Sequence, residues 1–282
     1  CAAAAWRLSR DRRDLWSEGL KALALTFTAL FFIFQIRHAM NGGDILAERF
    51  PFEELALQVL VGLSFTLGGT LISTDTFSKH TPGHDRLIPL LAMGTSVLSM
   101  GAFVFGLCLT KAPLFNEHVT VSGNPLFNGL ILAYLLPALL FAGIALLSRT
   151  RRPKPYMQAA AALSLVSLLF YVTSMIRRGF TGPQMSIFET PPTGAELYAI
   201  SAAWLILGIM MLVTGLKAGR KDIRLASGLV ITLTVLKAFL IDMASLEGVL
   251  RAMSFVVLGL VLIVIGRAYQ RILVSEKTAP PR

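Results

Sequence analysis

Eight apolar runs, each about 17 to 25 residues against the roughly 20 that a 30 Å hydrocarbon core requires, limit most severely what this chain can fold into. They lie near Leu20 to Ile36, Glu54 to Ile72, Leu87 to Leu109, Pro125 to Leu147, Tyr156 to Ile176, Ala195 to Leu216, Leu225 to Ile241 and Val249 to Tyr269. Such runs are too long and too uniformly apolar for the alternating strands of a barrel, so each is expected as a helix with its backbone polar groups satisfied internally. With 55% hydrophobic and 15% charged residues and a mean hydropathy of +0.68, the chain lies outside the globular range, and lipid is its expected solvent.

A net charge of +10 would suggest nucleic acid in a soluble chain. Here the basic residues are expected to set topology, and no nucleic-acid partner is expected. Of the 26 Lys and Arg, 19 fall on one side of the alternating spans, 6 on the other, and Lys237 within a span. That imbalance predicts both termini on the cytoplasmic side. Cys1 and Cys108 are too few for a disulfide framework or a zinc cluster, and Cys108, in an apolar run, is expected to be packing. A start without Met and without a signal-peptide pattern reads as a piece of something longer.

An internal repeat shapes the expected domain plan. IRHAMNGG from Ile36, followed by FEEL from Phe52, is echoed by IRRGFTG from Ile176 and TGAEL from Thr193 at an offset of about 140. Further on, Arg86-Leu87 and Val97-Leu98 match Arg224-Leu225 and Val235-Leu236 at an offset of 138. The expected fold is therefore all-α: a polytopic transmembrane helical bundle of about eight spans in two tandem four-helix repeats of the same orientation. Residues 1–17 form a basic cytoplasmic segment, 18–150 and 151–272 the two membrane units, and 273–282 a cytoplasmic tail. Four spans per unit is an even number, so a pseudo-two-fold axis would lie along the membrane normal.

The last two spans, LKAFLIDMASLEGVLRAMSFVVLG followed by IGRAYQR, resemble, together with IRRGFTG and AELYAISAAWLILG, the closing region of a bacterial family. It is the family of large multipass membrane proteins grouped as domain of unknown function 2339. The likeness covers most of residues 20–272, and the pattern Lys237, Asp242, Leu246, Arg251, Ser254, Phe255, Gly259 is its most specific part. The resemblance implies the bacterial inner membrane, a longer chain with further transmembrane segments as neighbours, and no established activity.

Ionisable residues at bilayer depth default to a functional hypothesis. The candidate ligand or ion-pair site is Lys237, Asp242, Glu247 and Arg251 around the last break between spans, with Arg37, His38, Glu54, Arg177, Arg178 and Glu196 on the same expected outer face. At 100° per residue Asp242 is rotated about 140° from Lys237, so the two are not expected to pair within one helix. Lys237 is expected either to snorkel outwards or to meet Glu247 across the hairpin or a carboxylate from another unit. Local roles compete with a ligand throughout. Ser245 suits an N-cap, Glu247 and Arg251 are spaced i,i+4, and Thr193 with Glu196 reads as a capping box. Glu53 and Glu54 occupy a first helical turn after Pro51, and Arg37, Arg177 and Arg178 sit at helix C-termini.

Other motifs carry less. His80 and His84 have the i,i+4 spacing of a helical metal site, but Pro82 and Gly83 break the helix between them, so no metal is expected. Pro137 is expected to kink the fourth span, and Gly68-Gly69 and Gly94 with Gly101 to allow close helix approach. No GxSxG, P-loop, HExxH or Cys-x-x-Cys occurs, and no cofactor is expected. The favoured role is a transport or ligand-binding module in the envelope. A structural or assembly protein is the alternative, and an enzyme acting on a lipid-linked substrate through an outer Glu or Asp the weakest reading.

Overall fold

A computed structural model describes residues 15–48, 50–72, 87–150 and 152–242, with six single positions between 256 and 267. The described residues carry seven helices, six of them long and apolar enough to cross a membrane, and no β-strand beyond isolated bridges. The eighth expected span falls almost wholly outside the described residues, as do Ser245, Glu247, Arg251, His80 and His84. The chain divides into two compact units, residues 1–191 and 192–282.

The first unit contains α1 (Leu15–Met40), α2 (Phe52–Ile72), α3 (Leu87–Gly101), α4 (Leu136–Leu147) and α5 (Lys154–Thr181). α3 continues as a π-helix over Ala102–Thr110, and α4 is preceded by a π-helical turn over Ile131–Leu135. The run expected as a span from Pro125 is therefore shorter, because 124–128 forms a turn and the apolar helix is Ile131–Leu147. The π turn before α4 has a cause in sequence. Pro137 cannot donate a backbone hydrogen bond, and the widened turn lets Leu136 N–H donate to Ile131 O, five residues back. Pro137 thus acts through a local widening of its helix.

The core of this unit is built around aromatic rings. Phe103 packs edge-on against Phe141 at 5.3 Å between centroids, and Tyr134 lies 5.5 Å from Phe170 and 6.1 Å from Phe52. Tyr134 is fully buried, and its hydroxyl donates to Leu107 O (2.8 Å) in the π-helical part of α3. Serines bind α5 to α4, since Ser164 Oγ donates to Ala138 O (2.8 Å) and Ser167 Oγ to Tyr134 O (2.6 Å). Lipid tails are as apolar as leucine, so helix association here relies on such polar links and on close packing. Leu23, Phe27, Phe31 and Phe34 of α1 all face outward, as a lipid solvent allows.

Close approach occurs at a glycine that was not anticipated. Gly68, Gly94 and Gly101 face open space, whereas a Cβ on Gly62 of α2 would overlap Ser99 Oγ of α3 and lie 3.2 Å from Ser99 Cβ. Sequence shows which residues are small but not which face meets a neighbour. Gly62→Ala should therefore lower stability by about 1–3 kcal/mol through overpacking. Thermal unfolding in lipid nanodiscs checks this. Adding Ser99→Gly should restore most of the loss, and an unchanged Gly62→Ala melt would refute the contact.

The second unit contains α6 (Gly194–Lys217) and α7 (Lys221–Lys237), which continues as a π-helical turn over Ala238–Asp242. A three-residue link makes these an antiparallel helical hairpin. A Cβ on Gly208 would lie 2.7 Å from Ile231 Cγ1, so the two axes run close.

Candidate functional site

Within the second unit, Lys237 closes the α-helical part of α7 and Asp242 ends the π turn that follows. Lys237 Nζ lies 2.6 Å from Asp242 Oδ1, with side-chain exposures of 13% and 1%. This corrects the expectation that the two could not pair. The 140° rotation assumed α geometry throughout, whereas a π turn hydrogen-bonds i to i+5 and brings residues five apart into line. Snorkelling is overturned as well, because the ammonium faces inward.

α6 completes the cluster. Lys237 Nζ donates to Leu197 O (3.2 Å) and Ser201 Oγ (2.8 Å), and Ser201 Oγ donates to Asp242 Oδ2 (2.5 Å). Ammonium, hydroxyl and carboxylate thus form a closed triangle on two adjacent helices, largely shielded from solvent. Ser201 was not a candidate from sequence. Its signal there is faint: one hydroxyl in the apolar run AISAAWLILG, one helical turn after Leu197. Glu196 is buried in the first turn of α6, where its N–H donates to Thr193 Oγ1 (3.3 Å), the forward half of the expected capping box.

In the first unit the remaining candidates separate into loop anchors. Glu54 is fully buried on α2, and its Oε1 accepts from Arg37 Nη1 (3.0 Å) and Gln58 Nε2 (3.0 Å). Its Oε2 accepts from Asn41 Nδ2 (2.9 Å). Arg37 also donates through Nε to Ile45 O (2.6 Å) and through Nη2 to Ala47 O, and its guanidinium lies 5.5 Å from the Phe50 ring centroid. Asn41 and Gln58 were missed, although Gln58 stands four residues after Glu54 on α2, and Asn41, just past the end of α1, stands four after Arg37, to whose carbonyl it also donates (3.0 Å). His38 is exposed and joins neither group.

Arg177 repeats the device at the end of α5. Its Nε donates to Met185 O, eight residues on as Ile45 is from Arg37, and its Nη2 donates to Ser186 O (2.8 Å) and Thr190 O (2.6 Å). Arg178 reaches the other way, donating to Val121 O (2.7 Å) and Gly123 O (2.6 Å). Both arginines are buried, and both use the fork of a guanidinium to satisfy loop carbonyls that apolar surroundings would leave unpaired. These are more than the dipole contacts that their positions in sequence suggested.

Seven of the ten candidates therefore resolve, within each unit, into local groups, while His38 stands apart and Glu247 and Arg251 lie outside the described residues. Those of the first unit hold loops in place, and that of the second is an ion pair inside a helical hairpin. The comparisons with known proteins agree with this membrane character. A family model described as "Predicted membrane protein (DUF2339)" matches residues 1–272. No curated protein and no solved structure matches the chain.

Proposed function

We propose, from the premise that the chain belongs to the DUF2339 family of predicted membrane proteins, that it is a multipass module which binds or transports a small charged solute through Lys237, Ser201 and Asp242. One observation carries the reading: a salt bridge 13% and 1% exposed, set in a π turn of an otherwise apolar span. Well-packed apolar residues would stabilise such a site as well as or better than a buried ion pair, so stability alone does not account for the charges. π turns recur at functional sites, and intramembrane charges mark substrate or ion pathways. A carboxylate on the solute would compete for Lys237, and a cationic group for Asp242.

The test uses the purified full chain in nanodiscs against amino acids, dicarboxylates and alkylammonium ions, read by thermal shift and by uptake in proteoliposomes. One class should stabilise the parent and be taken up, and both effects should vanish in Lys237→Met/Asp242→Leu. No response across the panel, or equal response from parent and variant, would count decisively against the reading.

A structural or assembly role in the envelope is favoured by one observation, that all three N–H donors of Lys237 have acceptors. Under it, the same double variant keeps normal abundance and loses nothing else. Both readings take a bacterial inner membrane with both termini cytoplasmic, supported by the excess of Lys and Arg on one side of the expected spans.

A further inference from the structure

The loop between α3 and α4 ends in a small hydrogen-bonded tip that buries the Asn128 side chain and leaves two large apolar side chains outside. Gly123 and Asn128 form an isolated antiparallel bridge, Asn124 N–H donates to Phe127 O (2.9 Å) and Gly129 N–H to Ser122 O (3.2 Å). The Asn128 side chain donates to Asn124 O (3.3 Å) and Pro125 O (3.1 Å), and its Oδ1 accepts from Leu130 N–H (3.0 Å). Arg178 takes the carbonyls of Val121 and Gly123, while Glu53 Oε1 accepts from both Ser122 N–H (3.1 Å) and Ser122 Oγ (2.7 Å). Gly123 has φ +99, and a Cβ there would lie 2.5 Å from Phe127 O, so the tip closes only with glycine.

Leu126 and Phe127 are left outside, 72% and 77% exposed. Their position gives the exposure meaning. The tip is tied to two helix ends, to Glu53 in the first turn of α2 and to Arg178 in the last turn of α5, and both helices are long enough to cross a membrane. The tip therefore stands level with the ends of two candidate spans, where a membrane boundary is expected. Paired carbonyls at 121–125 and 127, a proline with no N–H to leave unpaired and two large apolar side chains outward suit a segment that enters the interfacial layer.

We propose that the Pro125-Leu126-Phe127 tip is a membrane-interface anchor, with the lipid surface as its partner. It holds the α3–α4 loop against the bilayer.

The test places a single nitroxide-labelled cysteine in the full chain, with Cys1 and Cys108 replaced by alanine. The protein is reconstituted in vesicles of phosphatidylcholine and phosphatidylglycerol. Labels at Phe127→Cys and, separately, Leu126→Cys should collide with oxygen several-fold more than with a water-soluble nickel chelate. A label at the exposed loop residue His118 should show the opposite preference. Free access of the chelate at 126 and 127 would overturn the proposal in favour of a hydrated loop. Shielding of both labels from oxygen and chelate alike would overturn it in favour of a protein partner, a second copy included. Gly123→Ala with Phe127→Cys should raise chelate access at 127 towards the His118 value, and no change there would show that the tip geometry does not seat the residue.

Discussion

Lys237→Met should destabilise the full chain by about 3–5 kcal/mol in a thermal or denaturant melt in nanodiscs, the range for removing one partner of a buried ion pair. The cost comes from what stays behind. Asp242, 1% exposed, would keep the Ser201 hydroxyl as a donor but, among the described residues, no opposite charge beside it. Lys237→Met/Asp242→Leu should recover most of the loss, because two apolar side chains of similar volume need no partner. The single variant would then be the least stable of the series and the double variant near the parent. A Lys237→Met cost below about 1 kcal/mol would mean that the ammonium contributes no more than an exposed surface pair does, and would sink the buried triangle. The comparison also separates stability from function, since recovery of the melt without recovery of solute binding isolates what the charges are for.

Arg177→Lys should cost about 2–5 kcal/mol and open the segment 182–191 to protease. Arg177 is 1% exposed and its fork serves the carbonyls of Met185, Ser186 and Thr190. A lysine is a point donor on a flexible stem and cannot reproduce three directions at once. Each buried carbonyl left unpaired costs about 1–3 kcal/mol. Arg37→Lys should cost less, because that side chain is 19% exposed and water can replace part of what the fork supplied. Limited proteolysis and melting of the two variants under one protocol decide the matter. An Arg37→Lys loss equal to or larger than that of Arg177→Lys would contradict the roles given to these residues.

The two arginines also show how far the sequence could be read. Ile36-Arg37 and Ile176-Arg177 stand out as a repeated pair, and both side chains do donate through Nε to a carbonyl eight residues on. Their partners could not be read, because a backbone carbonyl carries no sequence signal. Asn41 and Gln58 were within reach of the i,i+4 rule, and Ser201 was not, since a lone serine in a membrane helix is common and marks nothing until its neighbours are known. Glu196 illustrates the middle case, where the cap from Thr193 follows from local spacing.

What the sequence determines by itself is the solvent and the class: long apolar runs too uniform for strands, in a chain whose composition requires lipid. Hydropathy and length are sums along the chain, so they survive without knowledge of any contact. Only the tertiary structure decides which glycine meets a neighbour, that the fourth run begins in a turn, and that Lys237 pairs with Asp242. That last decision depends on helical phase. A single π turn shifts the register between residues five apart, and α periodicity places on different faces two charges that the folded chain holds 2.6 Å apart.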